Sequence, residues 1–126
     1  MEIQEVSIDK LIPYERKLRK NDRALNRMMA SIKEYGFKIP ILARRRDGKI
    51  EVVDGHLRLK AARKLKMTVV PVIFCDEWSD AQVKAFRLLV NRSATWATWD
   101  EDLLALELAD LDALDFDLSL TGFDPF

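Results

Sequence analysis

The sequence has little of the chemistry that builds disulfides and metal sites. Its 126 residues contain one cysteine, Cys75, and one histidine, His56. A single cysteine cannot form a disulfide within the chain, and structural zinc sites usually take about four Cys or His ligands, so this chain alone has no zinc site of the usual kind. A lone thiol is typical of a reducing compartment, and we expect a cytoplasmic location.

Long apolar segments are also missing. The longest apolar runs, such as residues 69–75, are far shorter than the ~20 residues that a membrane helix needs. The acidic, alternating start Met1–Glu5 is unlike a secretory signal, and we expect no membrane partner. With 48% hydrophobic and 33% charged residues, the composition is that of a folded domain.

Positive charge is absent from the end of the chain. Residues 1–99 hold all 21 Lys and Arg side chains with 12 acidic ones, whereas residues 100–126 hold nine acidic side chains and no basic one. A basic body suggests a polyanionic partner such as a nucleotide or nucleic acid. The acidic tail could equally fold back on the basic body, and the two interpretations are compatible.

Hydrophobic periodicity predicts an α/β (α+β) fold, in which a small mixed sheet of about four strands is surrounded by helices. Strands are predicted at residues 2–7, 39–43, 50–53 and 68–75, and helices at about 22–35, 56–66, 80–91 and from 101 onward. We expect residues 1–92 to form the main domain. Residues 93–126 would then form an acidic helical extension packed on it, with no helix-turn-helix domain in the chain.

Three local signals refine this prediction. Asp47-Gly48 predicts a hairpin turn, because both central positions of such turns favour positive φ. Ser79 and Gln82 have the spacing of a capping box, and Asp100 is placed to cap the last helix.

The sharpest chemical feature is a strand that turns at Asp54-Gly55 directly into a helix. The first N–H groups of a helix have no partner within it, and the helix dipole adds partial positive charge there. Gly55 permits close approach to the backbone, and Arg58 offers a planar fork suited to phosphate. The plainer interpretation is that Asp54 caps the helix and Arg58 lies in solvent.

A second basic feature is the run Arg44-Arg45-Arg46 before the hairpin turn. These side chains could bind a DNA backbone, each adding salt-dependent affinity. They could instead form the solvated end of a strand, which is the more ordinary role of such a run.

The ordered set of Gly36, Pro40-Ile41, Asp47-Gly48 and Asp54-Gly55-His56-Leu57-Arg58 resembles the ParB/sulfiredoxin superfamily, and more closely its ParB-like N-terminal domain, also called the ParB-like nuclease domain. The resemblance covers roughly residues 3–92. The tail, with Trp99-Asp100 and Thr121-Gly122-Phe123-Asp124, is similar to ParB-like domains that precede DNA methyltransferases. This implies a possible methyltransferase domain beyond Phe126.

The resemblance implies a nucleotide site for CTP or ATP with Mg²⁺, in a protein that acts with DNA in partition-like clamping or DNA modification, and a homodimer. The residues that it points to are Pro40, Ile41, Gly55, His56, Arg58, Asn91 and Arg92. The ParB box usually reads Gly-Glu-Arg-Arg, and the absence of its glutamate here argues against CTP hydrolysis of the ParB kind.

The form Asp-Gly-His-x-Arg also resembles free-serine kinases of the same superfamily, which implies an alternative activity as a small-molecule phosphotransferase. In that case Asp54 and His56 would be catalytic, Asp54 would bind the metal, and Glu15 or Asp22 would act as the base. Sulfinic acid reduction is not expected, because His56 occupies the position of the sulfiredoxin cysteine. A nuclease and a degenerate interaction module are further alternatives.

Overall fold

The computed structural model of the protein describes residues 1–14 and 24–123, which form one five-stranded sheet and four α-helices. The strands are β1 Gln4–Ser7, β2 Leu11–Ile12, β3 Ile41–Arg46, β4 Lys49–Asp54 and β5 Val69–Phe74. The helices are α1 Leu25–Tyr35, α2 His56–Lys64, α3 Asp80–Ser93 and α4 Glu101–Ala113. The predicted α/β class is confirmed. The predictions made for Glu15, Asp22 and residues 124–126 lie outside the described residues.

The sheet is mixed, with the strand order β1-β5-β3-β4-β2. Strands β3 and β4 form an antiparallel hairpin, and β5 runs parallel to β3 on its other side. At the hairpin turn Asp47 has φ 52° and Gly48 has φ 73°, which confirms the predicted turn. The hairpin register pairs Leu42 with Asp54, so the start of β3 lies beside the end of β4.

One strand of the sheet was not predicted. The two-residue β2 pairs parallel to β4, with Leu11 opposite Ile50 and Ile12 opposite Glu51. The strands predicted from the sequence do not include these residues. Two residues are too few to show the alternation that marks a strand, and burial of Leu11 at 2% exposure secures this pairing instead.

The core lies between the sheet and α2. Its buried members come from all five strands, the turn at residue 8 and α2: Val6, Ile8, Leu11, Ile41, Ala43, Val52, Leu59, Ala62, Val70 and Val72. Each fully buried aliphatic side chain of the size of Val or Leu contributes roughly 1.5–3 kcal/mol. Because Ile41 and Leu59 belong to this cluster, the start of β3 and the first turn of α2 are fixed against each other.

Helices α3 and α4 begin with the caps that the sequence predicts. The Gln82 N–H donates to Ser79 Oγ at 3.2 Å, and the Ser79 N–H donates to Gln82 Oε1 at 2.8 Å, which completes the capping box. The Leu103 N–H donates to Asp100 Oδ1 at 3.1 Å. Among the described residues, no helix combines the length and hydropathy needed to cross a bilayer.

The C-terminal segment contacts the body through a short 3₁₀ turn, Leu118–Thr121, rather than through α4. Helix α4 buries no residue. After it, Arg27 Nη1 donates to the Gly122 carbonyl at 3.0 Å, and the Tyr35 hydroxyl donates to the Leu120 carbonyl at 3.4 Å. Within the described part of the chain, no carboxylate of α4 forms an ion pair, and the hydrogen bonds that join this segment to α1 are accepted by backbone carbonyls.

Candidate anion-binding site

The end of β4 and the start of α2 meet in a tight turn over residues 54–58, which we call the Gly55 corner. Gly55 is buried and has φ 105°, a backbone conformation that residues with a side chain rarely adopt. A Cβ atom here would lie 3.1 Å from both Arg58 Nη2 and Ile41 Cγ1. The backbone conformation and the close packing on β3 therefore both restrict this position to glycine.

The first N–H groups of α2 have no side-chain cap. The N-cap residue is Gly55 itself, and the first turn contains no acidic residue. The Leu59 N–H donates to the Gly55 carbonyl at 2.9 Å, so the N–H groups before it have no acceptor within the helix. With the helix dipole adding about half a positive charge, this helix start is suited to an anion.

Arg58 places its guanidinium against the same corner. Its Nη2 donates to the Pro40 carbonyl at 3.2 Å and lies 3.9 Å from Asp54 Oδ2. The side chain is 18% exposed, and its Nε is buried with no hydrogen-bond partner. Burial lowers the pKa of Arg58, and the Asp54 carboxylate partly opposes this. A guanidinium stays charged in proteins, so the corner carries a cation with one donor unsatisfied.

Asp54 contributes a half-buried carboxylate at the end of β4. Within the described residues, no group of three or more His, Cys, Asp or Glu side chains is arranged to hold a metal ion. Mg²⁺ commonly takes only about one or two protein carboxylates when phosphates and water supply its other ligands. Asp54 therefore fits an Mg²⁺ ion that arrives with a nucleotide.

His56, the first residue of α2, is neutral in this arrangement. Its Nε2 accepts a hydrogen bond from the Tyr14 N–H at 3.0 Å. A ring nitrogen that accepts carries no proton, so the proton of the imidazole is assigned to Nδ1. Burial first, and then the positive charge of Arg87, lower the pKa of His56, while Asp54 partly raises it. At neutral pH His56 is therefore an N–H donor without a charge.

Arg87, on α3, was not singled out by any sequence pattern. It is buried at 7% exposure, and its Nη2 donates to the Val52 carbonyl at 2.8 Å. Its guanidinium lies 3.8 Å from the centre of the Tyr14 ring. The signal that could have found it is its spacing, because Arg87 lies four residues after the buried Val83 and so on the inward face of α3.

The two later residues implied by the family resemblance lie in different surroundings. Asn91 is half-buried one turn beyond Arg87, and its Nδ2 donates to the Arg87 carbonyl at 2.7 Å. Arg92 is exposed, and its Nη1 donates to Thr95 Oγ1 at 3.3 Å. Of the predicted set, the structure brings together Pro40, Ile41, Asp54, Gly55, His56 and Arg58. Asn91 lies on the face of α3 that carries Arg87, and Arg92 does not.

The three arginines before the hairpin turn are bound by acidic side chains. Arg44 is buried, and its Nη2 lies 2.8 Å from Asp80 Oδ1. Arg44 is thus held by Asp80 and little exposed, and DNA binding by its side chain stays a prediction. The exposed Arg45 and Arg46 pair with Asp76 at 2.7 Å and Asp80 at 2.6 Å, and DNA binding stays a prediction for these two side chains.

A cavity of about 510 Å³ lies at the opposite end of β4, beside the hairpin turn. It is lined by Lys10, Ile12, Arg45, Gly48, Lys49 and Ile50. Its two lysines are exposed, and the buried unsatisfied nitrogens of the described residues belong to arginines outside its lining. The cavity therefore has three cationic side chains but, unlike the Gly55 corner, no buried cation with an unsatisfied nitrogen.

Comparison with known protein families gives one match for the main domain and another for the C-terminal segment. Residues 1–92 match the ParB N-terminal domain, and residues 102–125 match the ParB-methyltransferase HTH domain. The second match confirms the resemblance to methyltransferase-associated ParB-like domains. This match is to a helix-turn-helix family, which was not expected in this chain, while the described residues of this stretch contain one α-helix, α4, and a 3₁₀ turn.

Several characterised proteins are similar over much of the chain. The ParB-like nuclease domain-containing protein YnaK of Escherichia coli K12 is 36% identical over 76 residues, which are 60% of this chain and 84% of YnaK. The nucleoid occlusion protein of Halalkalibacterium halodurans is 25% identical over 108 residues, 84% of this chain and 38% of that protein. The probable chromosome-partitioning protein ParB of Helicobacter pylori is 29% identical, and the match covers 35% of that protein. The chain thus spans little more than a third of the occlusion and partition proteins.

Solved structures share the fold. The C-terminally truncated ParB of Caulobacter crescentus complexed with CTP-γ-S superposes with a TM-score of 0.79 at 22% identity, over 98% of this chain and 73% of that one. Sulfiredoxin from Arabidopsis thaliana superposes with a TM-score of 0.57 at 22% identity, over 70% of this chain and 98% of that one. A free serine kinase in complex with AMP superposes with a TM-score of 0.53 at 26% identity, over 62% of this chain and 32% of that one. With the match over residues 1–92, these findings show that the chain belongs to the family of ParB N-terminal domains.

Proposed function

We propose that this protein is a nucleotide-binding ParB-like module in a DNA-associated process, and that the phosphates of CTP or ATP bind at the Gly55 corner. The observation that carries the proposal is the corner itself, where uncapped helix N–H groups lie beside the incompletely bonded Arg58 guanidinium. The Caulobacter crescentus ParB that shares the fold was solved with CTP-γ-S, which supports a nucleotide as the class of ligand.

Each group at the corner has a part in holding phosphate. The N–H groups at the start of α2 donate to the phosphate oxygens, and the missing side chain of Gly55 leaves the backbone accessible to them. Arg58 neutralises charge and is held in place by the Pro40 carbonyl. The Nδ1–H of His56 supplies a neutral donor, since its Nε2 is occupied by Tyr14. Asp54 would hold Mg²⁺, which when bound neutralises further charge on the phosphates.

A DNA partner is the second part of the proposal. The basic residues 1–99 favour a polyanion, and the partition and occlusion relatives are named for work on the chromosome. The match of residues 102–125 to the ParB-methyltransferase HTH domain favours DNA modification as the setting. The exposed Arg45 and Arg46 are the candidates for backbone contact, and a homodimer would double that surface.

Calorimetric titration of CTP, ATP and GTP, each with Mg²⁺, tests the nucleotide site. Arg58→Ala removes the cation of the corner, whereas Lys64→Ala removes an exposed cation from the other end of the same helix. We expect saturable binding of at least one nucleotide by the wild type. Arg58→Ala should weaken it about tenfold or more, because a charge-assisted hydrogen bond contributes roughly 1.5–3 kcal/mol, and Lys64→Ala should change it less than about twofold. No saturable binding of any of the three nucleotides overturns the proposal.

The similarity to an AMP-bound free serine kinase favours a second candidate, phosphoryl transfer to a small hydroxyl compound. Asp54 and His56 would lie at the transfer site, and the proposed bases Glu15 and Asp22 lie outside the described residues. Incubation with ATP or ADP, Mg²⁺ and free serine, followed by phosphoserine detection, separates the two. A binding module gives no product, whereas product that disappears in Asp54→Asn establishes the transferase.

A further inference from the structure

Two arginines of this protein are equally buried, yet their charges are compensated differently. Arg44 and Arg87 are each 7% exposed. Arg44 has Asp80 at 2.8 Å and Glu51 at 4.0 Å. In the described part of the chain Arg87 has no such ion pair, and its Nε is buried without a hydrogen-bond partner. The Glu51 carboxylate attracts Arg87 from beyond ion-pair distance, but it also lies 4.0 Å from Arg44. A buried charge that is only partly compensated is costly, which makes an anionic ligand the natural source of the remaining compensation.

Arg87 lies beside the Gly55 corner. It donates to the carbonyl of Val52, two residues before Asp54 on β4. Its guanidinium stacks on the Tyr14 ring, and the N–H of that same tyrosine donates to His56 at the start of α2. The positive charge of Arg87 is also one of the causes that lower the pKa of His56. Arg58 thus contacts the corner from α2, and Arg87 on α3 is joined to it through Val52 and Tyr14.

We propose that Arg87 is a second phosphate-binding guanidinium of the Gly55 corner, and that the Tyr14 ring is the partner of its cation when no nucleotide is bound. This inference rests on the proposed function and names its ligand class more narrowly. The negative charges that act on the two guanidinium groups are Asp54 beside Arg58 and Glu51, which acts on Arg87 and is shared with Arg44. With the helix start added, the corner keeps an excess of positive charge. That excess matches the several charges of a nucleoside triphosphate better than the charge of a monophosphate.

The test compares three variants on α3. Arg87→Met removes the charge and keeps the length of the side chain, Arg87→Lys keeps a charge without the planar fork, and Lys84→Met removes an exposed charge from the same helix. Calorimetry with Mg²⁺ then measures CTP and ATP against CMP and AMP. We expect Arg87→Met to weaken triphosphate binding at least tenfold and monophosphate binding less than threefold. Arg87→Lys should recover part of the loss, and Lys84→Met should bind as the wild type does.

A second readout does not depend on any nucleotide. His56 is the one histidine of the chain, so its Cε1–H signal in NMR reports a single titration. In the absence of ligand the pKa of His56 should rise in Arg87→Met and stay unchanged in Lys84→Met. Unfolding would also raise the pKa of His56 towards 6.5, so the dispersion of the amide signals in the same sample must first show that the variant is folded. In the folded variant, the rise then shows that Arg87 acts on the corner.

The outcomes separate the two proposals. Absence of nucleotide binding by the wild type overturns the proposed function and this assignment together. Wild-type binding that Arg87→Met leaves within twofold overturns the assignment of Arg87 alone. If Arg87→Met does not fold, the wild-type Nε–H signal of Arg87 decides. It should move on addition of CTP with Mg²⁺ and not on addition of cytidine, and a signal that CTP leaves unmoved overturns the assignment.

Discussion

The dipeptide Asp-Gly occurs at both ends of β4, and the two copies differ in almost every physical respect. At the first, both residues have positive φ, and a Cβ on Gly48 would meet no atom within 4 Å. At the second, Gly55 has φ 105° and is so closely packed that a Cβ would lie 3.1 Å from two side chains. Asp47 is 87% exposed at its side chain, whereas Asp54 is 38% exposed and lies 3.9 Å from Arg58.

A sequence that favours a tight turn therefore does not by itself make that turn a binding site. The first Asp-Gly connects two paired strands, so the backbone groups around it continue a hydrogen-bonded ladder. The second connects a strand to a helix, so the N–H groups after it are left without acceptors. Both aspartates have a guanidinium nearby, Arg46 at 3.7 Å from Asp47 and Arg58 at 3.9 Å from Asp54. Arg46 is 48% exposed and Arg58 only 18%, so the second turn alone combines a largely buried cation with a free helix start and becomes a candidate for binding a charged ligand.

Substituting the two glycines should give the largest difference between the turns. Gly55→Ala combines backbone strain with overpacking and should lower the free energy of unfolding by about 3 kcal/mol. Gly48→Ala has the strain without the contact and should cost about 1 kcal/mol. Urea unfolding of both variants measures this.

Nucleotide binding should follow the same division, with loss in Gly55→Ala and retention in Gly48→Ala. Equal costs and equal binding in the two variants would mean that the packing around Gly55 has no special role.

Replacing each aspartate with asparagine should have a smaller effect on nucleotide binding. It separates the contribution of the aspartate's charge from its role as a metal ligand. Asp54→Asn removes a negative charge beside Arg58, so nucleotide binding without Mg²⁺ should tighten a few-fold, by roughly 1 kcal/mol or less. With Mg²⁺ present, binding should weaken, because the ion loses its protein ligand. Calorimetry with and without Mg²⁺ checks this, and Asp47→Asn is the matched control. An Asp54→Asn variant that tightens binding equally with and without Mg²⁺ would remove Asp54 from the metal.

The residues that follow the two turns should give the smallest difference, in the pH dependence of stability. His56 follows Gly55, and its pKa in the folded protein is lowered from 6.5 by burial and by Arg87. Below pH 6.5 the unfolded chain therefore binds the proton first. The stabilisation that the folded protein gains from a neutral His56 is complete above pH 6.5 and is lost as the pH falls towards the lowered pKa. For one proton, the free energy of unfolding changes by at most about 1.4 kcal/mol per pH unit.

Urea unfolding between pH 5 and pH 8 measures this slope. The His56→Gln variant should lose the part of this slope that comes from the imidazole. The Lys49→Gln variant, which changes the residue after the other turn, should keep it. Identical pH profiles for the wild type and His56→Gln would show that the Tyr14–His56 contact does not select the neutral imidazole.

Much of the fold could be predicted because it depends on local signals. The hairpin at Asp47-Gly48, the capping box at Ser79 and the cap at Asp100 each need only neighbouring residues, and all three are present. Strand β2 could not be predicted, because its two residues pair with a strand nearly forty positions later.

The site was predictable to a similar extent. The corner from Asp54 to Arg58 is contiguous, and its approach to Pro40 and Ile41 was implied by family resemblance. The buried state of Arg87 depends on contacts with Val52 and Tyr14, which come from distant parts of the chain, and a charged residue on a helix is ordinarily predicted to face solvent. The burial of Arg44 could not be predicted for the same reason, since its partner Asp80 begins the next helix after β5.

The most direct measurement is a crystal structure of the protein with CTP, or with ATP, and Mg²⁺. The phosphate oxygens should lie within hydrogen-bond distance of the N–H groups of His56, Leu57 and Arg58, with the Arg58 guanidinium beside them. A nucleotide bound instead in the cavity beside Gly48, or a Gly55 corner filled by the protein's own side chains, would contradict the assignment of this corner as the phosphate site.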